Sequence, residues 1–122
     1  QKAVYQATPY KTTHKNHPCV VWAGESLENA TYVYTLAYYL NQEFIKRFKP
    51  STNHKSFQML MDINMTGLII SHLENKGLTP FALAMPDYCK IGDAVDSYRL
   101  YYKLEKTHLL KYSSRNEPWW LK

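Results

Sequence analysis

From Leu27 to Phe48 the apolar residues recur as Leu27, Ala30, Tyr34, Ala37, Leu40, Phe44 and Phe48. Steps of three and four residues are the α-helical period, and no strand places its apolar side chains at that spacing. Ser26 supplies an N-cap, Lys46, Arg47 and Lys49 gather where the helix dipole favours cations, and Pro50 stops the run. A helix this long commits the chain to packing other elements against its stripe.

The flanking segments agree. His17-Pro18 opens a short helix carrying Val20, Val21 and Trp22, and Gly24 ends it. Ser51-Thr52-Asn53 precedes a second long helix, His54 to Glu74, with Phe57, Leu60, Met61, Met65, Leu68, Ile69 and Leu73 on one stripe. Gly67 weakens it, and Asn75-Lys76-Gly77 signals its end. Residues 78–92 read as a loop with an apolar middle. Asp93 caps a last helix from Ala94 to about Tyr112. Residues 1–16 are polar and read as an extended arm. With no strand alternation, repeat or linker, the expected fold is all-α: a single compact domain, 1–122, of three long helices and one short helix with an extended N-terminal arm.

Size suits one core, and an apolar share of 45% excludes a disordered chain. Fifteen Lys and Arg against ten Asp and Glu give a net charge of +5, which favours anionic partners. Residues 97–122 hold six cations and two acids, a net of +4. Cys19 and Cys89 set no disulfide framework and are expected as free, mostly buried thiols. Neither a signal peptide nor a membrane-length apolar run is present, so a soluble protein of the cytoplasm is expected. The chain opens on Gln1 without an initiator Met, and a processed or truncated start is expected.

Chemistry concentrates in the last quarter. Arg99, Lys103 and Lys106, at steps of four and three, share one helix face, with Lys111 and Arg115 beyond. Tyr98, Tyr101 or Tyr102, and Leu109 are left to serve the core. Pro118-Trp119-Trp120 follows. Adjacent tryptophans point in different directions, so one ring is expected on the core and the other toward a ligand. Cations interleaved with flat rings suit phosphates carrying stackable bases; the competing reading is a solvated face with snorkelling lysines. His14, His17, Cys19 and Glu25 include metal-ligand types but match no zinc spacing, so no metal site is expected. His17 reads as a helix cap or a phosphate contact. Asp62, between Met61 and Ile63, is a candidate for a buried carboxylate of raised pKa against the plainer reading of an exposed one. Gly24, Gly67, Gly77 and Gly92 form no nucleotide-binding loop, and no cofactor is expected.

The stretch Asn16-His17-Pro18-Cys19-Val20-Val21-Trp22-Ala23, with Glu25-Ser26 and Asn29, resembles a group of small phage and bacterial proteins. So do residues 78–87, the set Tyr98, Arg99, Tyr101, Tyr102 and Lys106, and Pro118-Trp119-Trp120; together the likeness spans roughly residues 11 to 120. The layout also resembles the phage pyrimidine-dimer DNA glycosylases, which are small, basic and all-α, with an aromatic tail that meets DNA. The resemblance implies DNA contact at Pro118, Trp119, Trp120 and His17. In those enzymes an N-terminal α-amine is the nucleophile, assisted by a glutamate. It displaces a base, forms a Schiff base at the sugar C1′, and elimination then cuts the strand. Gln1 can cyclise and is a poor stand-in, so the resemblance puts any catalytic residues outside this chain.

The leading expectation is a phage-type DNA-binding protein acting on damaged or modified DNA. Its contacts would be His17, Arg99, Lys103, Lys106, Lys111, Arg115, Trp119 and Trp120. The alternative is a non-enzymatic virion or host-factor interaction protein that uses the Trp pair as a protein-binding hot spot. A small-molecule enzyme with a site around Asp62 or His17 is the third option.

Overall fold

A computed structural model describes residues 11, 13–62, 67 and 72–122. The fold is all-α: helices α1 (Pro18–Ala23), α2 (Leu27–Phe48), α3 (Lys55–Asp62) and α4 (Ala94–Glu105), with single 3₁₀ turns at Asp87–Cys89, Thr107–Leu109 and Trp119–Leu121. No strand occurs among the described residues. The chain divides into two compact units, Gln1–Thr79 and Pro80–Lys122. None of the described helices is long and apolar enough to cross a membrane.

In the first unit, Pro18 occupies the first turn of α1, and His17 caps it, its Nδ1 accepting from Cys19 N at 3.1 Å. Ser26 Oγ caps α2 by accepting from Asn29 N at 3.1 Å. Pro50 disfavours a further helical residue before it. The chain leaves α2 through Lys49, at φ 47°, whose N–H bonds Ile45 O at 2.9 Å.

The buried face of α2 differs from the expected apolar stripe. Leu40 and Phe48 are 61% and 70% exposed, whereas Asn29 and Asn41 are buried. Both asparagines fasten loops. Asn41 donates through Nδ2 to Asn53 Oδ1 at 3.0 Å and accepts from His54 N at 2.8 Å. This places α3 against α2, with Phe57 buried between Tyr34 and Tyr38 at ring separations of 6.2 and 6.0 Å.

Asn29 binds the returning chain. Its Nδ2 donates to Trp22 O at 2.8 Å and Thr79 Oγ1 at 2.7 Å, and its Oδ1 accepts from Thr79 N at 3.0 Å. Thr79 Oγ1 donates onward to Glu25 Oε2 at 2.8 Å, and Trp22 Nε1 donates to Thr79 O at 3.3 Å. Two more bonds extend this seam: Leu27 N to Glu74 O and Gly77 N to Glu28 Oε2, both 2.9 Å. Gly77 sits at φ +82°, a conformation that costs glycine little and a side-chain-bearing residue more.

The second expected long helix is described as far as Asp62, with Gly67 and His72 also helical; residues 63–66 and 68–71 lie outside the described residues. Leu73 and Glu74 are not helical, so that helix stops short of the expected Glu74, whose carbonyl instead receives Leu27 N. Asp62 is exposed and accepts from Gln58 Nε2 at 2.9 Å, as its plainer reading expected, and the alternative of a buried carboxylate is set aside. Most of the expected N-terminal arm, residues 1–10 and 12, also lies outside the described residues.

In the second unit, Asp93 Oδ1 caps α4 by accepting from Asp96 N at 2.9 Å. Fully buried Ser97 bonds Ile91 O, Asp93 O and Ile91 N at 2.6, 2.8 and 2.9 Å, closing the loop ahead of the helix. Tyr98 OH donates to Ala82 O at 2.6 Å and accepts from Ala84 N at 3.3 Å, fixing the apolar middle of the 78–92 loop. α4 ends at Glu105, seven residues before the expected Tyr112. Lys106, at φ −120°, breaks it, and Thr107–Leu109 tightens into a 3₁₀ turn. Leu109 and Tyr102, offered to the core by an unbroken helix, are exposed.

Candidate nucleic-acid interface

The break after Glu105 rearranges the expected row of cations. Arg99 and Lys103 lie on α4, Lys106 is its C-cap, and Lys111 and Arg115 lie in non-helical chain beyond the 3₁₀ turn. Lys103, Lys111 and Arg115 are exposed. Lys106 Nζ turns onto the Tyr101 ring, 5.2 Å from its centroid. His17 belongs to the first unit, where its ring caps α1.

Arg99 and the tryptophan pair come together. The Arg99 guanidinium carbon lies 5.2 Å over the Trp119 ring and 5.8 Å over the Trp120 ring. It also approaches Asp96 Oδ1 at 3.9 Å. An exposed ion pair at that separation contributes about 0–1 kcal/mol. Each exposed cation–π contact contributes about 0.5–1 kcal/mol, so two rings outweigh the carboxylate in orienting this side chain. Trp120 is half-buried, while Trp119 is 76% exposed. Pro118 begins the 3₁₀ turn that sets the two rings apart. The result is an aromatic plate backed by a cation, with further cations on the same unit.

A second polar cluster adjoins the end of α4. Tyr88 OH donates a hydrogen bond to Glu105 Oε1. That bond, then burial, then the Glu105 charge push the Tyr88 hydroxyl from 10.0 up to about 12. The folded state therefore holds this proton more tightly than the unfolded chain. The pair's stabilisation is fully present below pH 10 and is lost as pH rises from 10 through 12. Phenolate absorbance is expected to show one tyrosine ionising near 12, and Glu105→Gln is expected to bring it back toward 10. A titration in which Glu105→Gln changes nothing would contradict the assignment.

Neighbouring Lys90 donates to Asp87 Oδ1 at 2.9 Å and holds that carboxyl below its usual range. Cys89 is buried, and burial pushes its thiol up, away from the reactive thiolate. Cys19 is exposed, contrary to the expectation of a buried thiol; it sits in the first turn of α1, whose buried residue is Trp22. Among the described residues no three His, Cys, Asp or Glu side chains converge as a metal site would require.

Sequence reasoning named Arg99, Trp119 and Trp120 separately but missed their stacking, because residues twenty apart leave no local signature. Tyr88 with Glu105 was missed for the same reason. Neither a family model, nor a curated protein, nor a solved structure matches this chain.

Proposed function

We propose that this protein is a DNA-binding module whose contact surface, on the second unit, is the Arg99–Trp119–Trp120 cluster, with Lys103, Lys106, Lys111 and Arg115 for phosphates; His17, on the first unit, is proposed as a separate contact. The observation that carries the reading is the exposure of Trp119 over a guanidinium. A large apolar ring held in solvent by an adjacent cation costs hydration unless something covers it, and a base is the flat partner that arrives with phosphates. The likeness to pyrimidine-dimer glycosylases extends the proposal to DNA carrying damage or a modified base.

Band shifts with labelled DNA at low salt test it. Trp120→Ala is expected to weaken binding about 5- to 150-fold, since one base–aromatic stack contributes about 1–3 kcal/mol. Lys103→Ala is expected to reduce the salt dependence by about one phosphate contact. Unchanged affinity in both variants defeats the proposal. Borohydride trapping on damaged DNA tests strand cleavage separately: an adduct extends the reading to lyase chemistry, and binding without one leaves a binding module.

A second reading is a protein-binding surface, favoured by Val95, Leu104 and Leu109, which are exposed in the same unit. Under it the Trp pair is the hot spot, and no DNA is shifted.

A further inference from the structure

Resting on the DNA-binding reading above, we infer that this surface takes an unstacked base of a single strand rather than the groove of an intact duplex. Three observations converge. First, Trp119 is presented as a plate. Its ring lies against the Arg99 guanidinium, and 76% of the residue remains in solvent, so a ring face is available for stacking. A paired base hides both of its faces between neighbours and reaches such a plate only after extrusion from the stack, whereas an unpaired base offers a face at once.

Second, α4 is charged the wrong way for groove insertion. Helices that read a major groove commonly lead with their N-terminal residues. Here that end carries Asp93 and Asp96, both exposed, which repel the phosphates lining the groove. The cations follow further along: Arg99 at mid-helix, Lys103 in the last turn and Lys106 at the C-cap, from which the chain continues to the tryptophans.

Third, two of the cations that accompany the plate are seated on aromatic rings. Lys106 lies over Tyr101, and Arg99 lies over the tryptophans. A flexible single strand can fit its phosphates to positions of this kind, whereas a duplex backbone demands a fixed spacing. Guanidinium backing suits the same occupant, because a cation behind the ring offsets the charge of the phosphates on either side of the stacked base.

The test measures binding of the full chain to a labelled oligodeoxynucleotide of about twelve residues, within the span that one such surface covers. The same oligonucleotide annealed to its complement is measured alongside, and tryptophan fluorescence is followed as a second readout. The single strand is expected to bind at least about ten-fold more tightly than the duplex and to quench tryptophan emission. Trp119→Ala is expected to weaken single-strand binding about 5- to 150-fold, and Trp119→Phe to retain most of it. Because Trp119 is exposed, both variants are expected to keep the wild-type circular dichroism. Duplex binding as tight as single-strand binding overturns this inference and leaves the DNA-binding reading standing. Single-strand binding that Trp119→Ala does not change overturns it as well. Failure to bind either form overturns both readings.

Discussion

Trp22→Ala is expected to lower the free energy of unfolding by about 3–5 kcal/mol, as large-to-small changes at buried aromatic positions do. Trp22 is buried, meets Tyr32 edge to face at 5.9 Å, and donates Nε1 to Thr79 O at 3.3 Å. Alanine would leave a cavity beneath α1 and release the carbonyl that ends the returning segment. Trp22→Phe keeps most of the ring and removes the donor. It is expected to cost about 1–3 kcal/mol, the penalty for a polar partner left unpaired plus a small packing loss. Urea unfolding checks both, read as a shift of midpoint at constant slope. A loss below about 1 kcal/mol for Trp22→Ala would show that the ring is not a core element.

Asn29→Ala is expected to cost about 3 kcal/mol. One fully buried side chain serves Trp22 O and both the hydroxyl and the N–H of Thr79. Each buried group stripped of its partner costs about 1–3 kcal/mol, and the half-buried Thr79 N–H loses its acceptor at the same time. Asn29→Asp sharpens the test. It keeps an oxygen for Thr79 N–H but loses both donors, and it sets a second carboxylate close to the hydroxyl that already serves Glu25. It is expected to be at least as damaging as alanine. Amide exchange localises the effect: Thr79 and Gly77 are expected to lose protection in Asn29→Ala. Retained protection at Thr79 would mean that the 74–79 segment is held by something other than this seam.

These two residues also show what could be read in the sequence. α2 was legible in full, since its period, Ser26 and Pro50 are local signals. The capping roles of His17 and Asp93 were legible for the same reason. The far end of α4 was not. Thr107 and His108 carry no glycine or proline to announce a stop, and the helix breaks at Lys106 without one. The buried face of α2 was misjudged because a hydrophobic stripe has no place for asparagine. Asn29 and Asn41 are buried only because loops some fifty and twelve residues further on bring them partners. Ser97 and Thr79 were overlooked on the same ground, that short polar side chains look like surface until the backbone groups they satisfy are known. In the candidate site, composition and spacing picked out the cations and the tryptophans. The stacking that fixes Arg99 depends on how the tail folds back, which no neighbouring residue encodes.

The histidines at the two helix starts have one more consequence. His17 receives Cys19 N at Nδ1, and His54 receives Ser56 N in the same way at 3.2 Å. A nitrogen that accepts a hydrogen bond carries no proton, so each neutral imidazole is locked as the Nε2–H tautomer. Its outward nitrogen is then a donor, able to reach a phosphate oxygen but not to offer a lone pair to a metal ion. The cap thus selects the kind of ligand His17 can meet, and the selection is visible without any ligand: nitrogen-15 spectra of the two rings should show a single tautomer at each, rather than the mixture of a free side chain.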